Sequence, residues 1–245
     1  MNNKNNGGLK AFLFLVIAGL LISPFISSCG KTSVNVTSSN IQYQVVNLSP
    51  SLGPISLYID YRIYNNKNFY YPSPSGYFYL TSIDTPFQIR SSPNQAAGTV
   101  VTTTGNIFSM NDALKPNLKY TLFITGLLSD SAIYRVFLTD TSSTPTVGRG
   151  KIRFLNASPR SPGFDIIANG TQAFSNQQYL KVSKYIEVPA GNYNFQIFQK
   201  GTTTDVIGTL QNVTIQDGRL YTMYSYGLVG HTDSLAFGTG YIVNK

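Results

Sequence analysis

The stretch Lys184–Phe198, KYIEVPAGNYNFQIF, decides the fold class. Lys184 to Val188 is a short run with a tyrosine and β-branched residues, and it stops at the turn cluster Pro189-Ala190-Gly191-Asn192. Tyr193-Asn194-Phe195-Gln196-Ile197 then alternates apolar and polar, the period-two pattern of a half-buried strand. The same grammar continues in both directions. Upstream, Lys151-Ile152-Arg153-Phe154 alternates, and Phe164-Asp165-Ile166-Ile167 runs to Asn169-Gly170, the strongest short hairpin signal. Downstream, Gly201 to Asp205 makes a turn, Val206 to Ile215 supplies one or two strands, and Asp217-Gly218 precedes Leu220-Tyr221-Thr222-Met223-Tyr224. No window carries apolar residues at helical spacing. About seven short strands at this spacing predict an all-β, immunoglobulin-like antiparallel sandwich, with a small barrel as the alternative.

The chain repeats itself. Val45-Val46-Asn47-Leu48-Ser49-Pro50 matches Phe154-Leu155-Asn156-Ala157-Ser158-Pro159 at an offset of 109, and Tyr77-Phe78-Tyr79-Leu80 matches Tyr185-Ile186-Glu187-Val188 at 108. Phe87-Gln88-Ile89 matches Phe195-Gln196-Ile197 at 108, and Tyr120-Thr121-Leu122 matches Tyr221-Thr222-Met223 at 101. Preserved block order argues for tandem domains, and the period is too long for a solenoid or propeller. The predicted organisation is a signal peptide over 1–28, a flexible tether over 29–40, a divergent first sandwich over 41–140, a Ser/Thr/Pro/Gly linker over 141–150 and a second sandwich over 151–245.

Composition narrows the chemistry. The 245 residues include one His, one Cys and no Trp, too few His and Cys for a metal site built from those ligands or for an internal disulfide. His231 is the sole histidine, and no G-x-S-x-G elbow, P-loop or G-x-G-x-x-G accompanies it. The ten acids are scattered singly, and most sit beside turn residues, where Asx-turn capping explains them better than catalysis. Gly238-Thr239-Gly240 is a weak fragment in a Gly-rich tail. No enzyme, metal site or cofactor is expected. With 18 Lys+Arg against 10 Asp+Glu the chain is basic, but no basic helix or RNP-like motif supports nucleic-acid binding.

The N-terminus reads as an address. Lys4 and Lys10 precede the apolar run Ala11–Leu21, followed by Ser23, Pro24 and Ile26-Ser27-Ser28-Cys29. Ala11 to Ile26 is short against the roughly 20 residues needed to span a bilayer. Ile26-Ser27-Ser28-Cys29 resembles the lipobox of bacterial lipoproteins. The resemblance implies a lipid on Cys29, the one cysteine of the chain, and attachment to a Gram-negative cell envelope. Lys31 rather than an aspartate near the cysteine implies the outer membrane. The first acid is Asp60, so no acidic run follows Cys29, and the periplasmic side is favoured over the cell surface.

The segments Phe154–Pro159, Phe164–Gly170 and Val188–Tyr193 together resemble the domain-of-unknown-function 4397 family. Its members read as an N-A-S-P segment, a strand running into Asn-Gly, and a P-A-G-x-Y turn. The resemblance covers about residues 150–230 well and 41–130 more faintly. In the first half Tyr61-Arg62 occupies the Asn-Gly position, and Thr81-Ser82-Ile83 occupies the P-A-G turn. The family implies a β-sandwich in the envelope and supplies no catalytic residue.

Three surface features remain as candidates. Tyr58 to Tyr79 is dense in tyrosine, and Tyr61, Tyr64, Tyr70 and Tyr71 form a candidate platform for a glycan or protein ligand. Arg149, Lys151 and Arg153 share one face of a strand and form a candidate basic stripe toward lipid head groups or an acidic glycan, or an ordinary solvated face. Asp130-Ser131-Ala132 and Asp233-Ser234-Leu235 resemble an envelope O-glycosylation motif. The reading is a non-enzymatic cell-envelope lipoprotein with a binding or structural role and an unknown protein or glycan partner. The alternative is a glycan-binding accessory lipoprotein for polysaccharide uptake.

Overall fold

The computed structural model describes residues 40–91 and 105–245. Ile26, Ser27, Ser28 and Cys29, with residues 29–39 of the tether, lie outside the described residues. Among the described residues no helix is long and apolar enough to cross a membrane.

Two copies of one eight-strand pattern follow each other. The first half holds β1 (Gln42–Asn47), β2 (Ile55–Ile59), β3 (Arg62–Phe69), β4 (Phe78–Tyr79), β5 (Phe87–Ser91), β6 (Asn106–Met110), β7 (Lys119–Leu127) and β8 (Ala132–Thr139). The second holds β9 (Arg149–Asn156), β10 (Phe164–Ala168), β11 (Thr171–Gln177), β12 (Ile186–Pro189), β13 (Gly191–Gln199), β14 (Val206–Ile215), β15 (Leu220–Tyr226) and β16 (Gly238–Val243). The first half pairs sheets β4-β1-β7-β8 and β3-β2-β5-β6, and the second pairs β12-β9-β15-β16 and β11-β10-β13-β14. In each half the first and seventh strands run parallel, β1 with β7 and β9 with β15, and the other pairings are antiparallel. The second half has eight strands rather than about seven. The added ones are β11 and β16, the latter being the Gly-rich tail. A Cβ at Gly238 would meet the Tyr226 ring at 2.4 Å, and one at Gly240 would meet the Tyr224 ring at 2.6 Å. Glycine there makes room for aromatic rings lying across the strand.

Each half has its own core between its two sheets. Tyr43, Val45, Leu57, Ile89 and Leu122 fill the first. Phe154, Phe164, Ile166, Phe195 and Met223 fill the second. A third core lies between the halves: Val46, Leu48 and Phe123 of the first pack on Leu155, Ala157 and Tyr224 of the second. Phe123 and Tyr224 occupy equivalent positions, and their rings meet at 5.8 Å. Thus β1, β7, β9 and β15 are covered on both faces, and their burial is almost continuous instead of alternating. The described residues form a stack of four sheets.

The shared sequence blocks are hydrogen-bond staples. Asn47 accepts the amide of Ser49 at 3.2 Å, and the Ser49 hydroxyl donates to the Gly126 carbonyl at 2.8 Å. Asn156, Ser158 and Gly227 repeat this at 3.0 and 2.6 Å. All four polar residues are buried, so each staple satisfies groups that water cannot reach. Gly126 and Gly227 have positive φ, and a Cβ on either would lie 2.1 Å from a carbonyl of the facing strand or turn, so no other residue fits. Tyr120 and Tyr221 accept the amides of Lys115 and Gln216, five residues upstream, at 2.8 and 2.9 Å.

Candidate functional site

The basic stripe lies inside the molecule. Arg149, Lys151 and Arg153 do share one face of β9, but that face is covered by the first half and by residues 141–148, so Lys151 and Arg153 are buried and Arg149 is half-buried. Their charges are met internally. The Lys151 ammonium donates to Ser143 Oγ at 2.6 Å and to its carbonyl at 2.9 Å, and lies 3.5 Å from Glu187. Glu187 also accepts Thr146 Oγ1 at 2.9 Å and approaches Arg149 at 3.7 Å. The Thr146 hydrogen bond holds its carboxyl below the usual glutamate value. Residues 141–148 are therefore clasped to the second half, and β9 begins at Arg149, inside the expected linker.

Arg153 is the centre of a polar cluster between the halves. It pairs with the fully buried Asp140, donates Nε to Thr222 Oγ1 at 2.8 Å, and stacks 4.6 Å from the Tyr185 ring centroid. Asp140 also accepts Thr121 at 2.5 Å and Tyr77 at 2.8 Å. Asn244 accepts Thr222 at 2.7 Å and donates to Tyr77 at 3.0 Å. Burial pushes the Asp140 carboxyl up from the ordinary aspartate value, against the opposing pull of Thr121, Arg153 and Tyr77. Burial likewise raises the Tyr77 hydroxyl. The cluster is a structural network. Its acid and base face each other in the interior, and Asp140 and Asn244 also border a cavity of about 230 Å³ with Lys119, Ser142 and Leu220.

Asp140, Tyr77 and Asn244 are not among the candidate site residues named from the sequence. The available signal was that Tyr77 and Tyr185, and Thr121 and Thr222, recur in matching blocks of otherwise apolar strands.

The four tyrosines do not form one platform. Tyr64 is a core residue, 9% exposed, because its side chain points between the sheets, stacks on Phe78 at 5.5 Å and donates to the Tyr79 carbonyl at 2.5 Å. Tyr61 and Tyr70 are exposed but flank opposite ends of β3, an eight-residue strand spanning about 26 Å. Tyr71 is half-buried, edge-on to Tyr226 at 5.6 Å, and burial pushes its hydroxyl up to about 12. The tight turn between β2 and β3 uses Asp60-Tyr61, both with positive φ, so these residues rather than Tyr61-Arg62 stand where the second half has Asn169-Gly170.

His231 is exposed, 3.5 Å from Asp233. Ser131 and Ser234 are exposed in equivalent turns before β8 and β16, and Asp130 beside Ser131 pairs with Arg160, which holds its carboxyl below the usual range. Among the described residues no group of three or more His, Cys, Asp or Glu could hold a metal ion.

Another concave feature combines apolar walls with polar groups. At the open edge of the second sandwich, between β11 and β12, a cavity of about 380 Å³ is walled by Ala168, Ala173, Ile186, Val188, Pro189 and Tyr193. Asn169, Thr171 and Gln172 form its rim. The equivalent mouth of the first sandwich, lined by Ile59, Ile63, Tyr64 and Thr81, holds about 190 Å³.

The sequence model of the family described as Domain of unknown function (DUF4397) matches residues 41–165 and 150–238. No curated protein matches the chain.

Proposed function

The chain belongs to the DUF4397 family, and from that premise we propose that it is a non-enzymatic binding or structural protein of a Gram-negative cell envelope, anchored to the outer membrane by lipid on Cys29. The lipobox-like Ile26-Ser27-Ser28-Cys29 behind an apolar run supports the anchor. Two or three acyl chains give stable attachment, each buried CH₂ adding about 0.8 kcal/mol. The binding role rests on one observation, the disposal of charge. Arg153, Lys151, Asp140 and Glu187 spend their hydrogen bonds on one another, on neighbouring hydroxyls and on the backbone, and the Arg153–Asp140 pair ties the two sandwiches together. What the molecule turns outward is a fixed apolar mouth with an amide and hydroxyl rim. A partner protein or glycan would meet a preformed surface and lose little freedom on docking. The uptake reading, with a tyrosine platform, is not favoured, because Tyr61 and Tyr70 stand at opposite ends of a strand.

Cys29→Ala tests the anchor. Expected are loss of labelling by a clickable fatty acid and release of the protein from the membrane fraction. Unchanged labelling and retention would overturn it.

A further inference from the structure

We propose that the mouth between β11 and β12 binds a phenolic ring, occupying the place that Tyr64 fills from within in the first sandwich. The proposal deepens the binding role above and rests on it for its biological use.

Strand register makes the two mouths comparable. Ile63 lies opposite Tyr58 as Gln172 lies opposite Ile167, and the residues that follow, Tyr64 and Ala173, line the two mouths, although β11 then bulges so that the buried Phe174 rather than Ala173 faces Ile166. Phe78 lies opposite Tyr43 as Ile186 lies opposite Ile152. In the first half the Tyr64 ring stacks on Phe78 and closes the mouth. In the second half alanine and isoleucine stand in those places, and the open volume is twice as large, about 380 against 190 Å³.

The polar end of the site has a counterpart as well. Tyr64 donates its hydroxyl to the Tyr79 carbonyl. Tyr79 pairs with Gln42 as Glu187 pairs with Lys151, so the Glu187 carbonyl is the equivalent acceptor. That carbonyl is taken by Arg149 Nη2 at 3.0 Å and does not line the cavity, so a ligand hydroxyl is met instead by the rim amides and hydroxyl of Asn169, Gln172 and Thr171. A flat apolar body with one hydroxyl tip matches such a site better than an aliphatic chain does.

The walls are fixed before any ligand arrives. The Tyr193 hydroxyl donates to the Pro189 carbonyl at 3.0 Å. Asn169 donates to the Asn192 carbonyl and accepts the Asn194 amide, at 3.0 and 2.8 Å. These are the Asn-Gly and P-A-G-x-Y residues that the first half lacks, so the second half alone carries both the vacancy and the frame around it.

The test is a titration of the purified protein with p-cresol, and separately with N-acetyltyrosinamide, read by methyl shifts of Ile186 and Val188. The expected result is saturable shifts in wild type and at least a tenfold loss of affinity in Ala173→Tyr, with the melting temperature not lowered, because the first half already holds that side chain. Ala173→Val, a smaller plug, should weaken binding while keeping the fold if the tyrosine is not tolerated. Saturation by p-cresol alone assigns the ring to a free small phenol. Saturation by both ligands assigns it to a tyrosyl side chain as well. No saturable shift in wild type, or undiminished binding in both folded variants, overturns the proposal. Either outcome leaves the Cys29→Ala fractionation unaffected, so the anchor and the pocket fail separately.

Discussion

The two sandwiches agree where hydrogen bonds must be buried and differ where the chain meets solvent or its neighbour. Both keep the Asn-x-Ser staple, the glycine it reaches, and the tyrosine that holds the amide five residues upstream. They part at the mouth, where Tyr64 faces Ala173, and at the polar cluster, where Gln44 stands for Arg153 and Asp140 for Asn244. The shared set shows which positions the eight-strand pattern needs. The differing set shows which positions each half turned to another use.

Breaking the cluster should separate the halves most. Arg153→Ala leaves the fully buried Asp140 unpaired, and about 4 kcal/mol of unfolding free energy should be lost in urea titration. Gln44→Ala, at the equivalent position, should cost about 1 kcal/mol, since the Gln44 carbonyl oxygen has no partner among the described residues. Equal losses would mean that the ion pair has no special place. Next in size, Tyr64→Ala empties the first mouth and should cost about 3 kcal/mol by the same titration, an aromatic-to-alanine change in a packed core. A loss under about 1 kcal/mol would mean that the ring merely lies over the opening.

The staples should behave alike in the two halves. Ser49→Ala and Ser158→Ala each orphan a buried carbonyl, and each should cost about 2 kcal/mol. A large difference between them would show that one half carries the stability. The smallest effect concerns pH. Burial raises the folded carboxyl of Asp140, so the folded state binds its proton more tightly than the unfolded chain does. That contribution is fully present below the unfolded aspartate value of about 4 and is lost as pH rises through the higher folded value. Relative to Asp140→Asn, wild-type stability should therefore decline over this window. A rise instead would show that Arg153 outweighs desolvation.

Much of the fold was legible because strands and turns write local signals. Alternation in Tyr193–Ile197, the Asn169-Gly170 turn and the block order gave the sandwich and its duplication. Two features were not legible for a physical reason. Alternation tells that Arg149, Lys151 and Arg153 share a face, but it cannot tell water from another sheet on that face. Spacing alone cannot distinguish a tyrosine lying outside β3 from one turned between the sheets either, so Tyr64 and Tyr61 looked alike. The candidate mouth was invisible for a related reason. It is defined by Ala173, a residue whose meaning comes from the ring that its counterpart carries.

The charged cluster also restricts how such halves can combine. Two first halves placed face to face would bury two Asp140 carboxyls and two Gln44 amides, with no cation between them. Two second halves would bury two Arg153 guanidiniums opposite two Asn244 amides, with no anion. Buried unpaired charge is costly enough to disfavour both symmetric dimers. A first half against a second half pairs the buried aspartate with the buried arginine, so one polypeptide carries the complete pair.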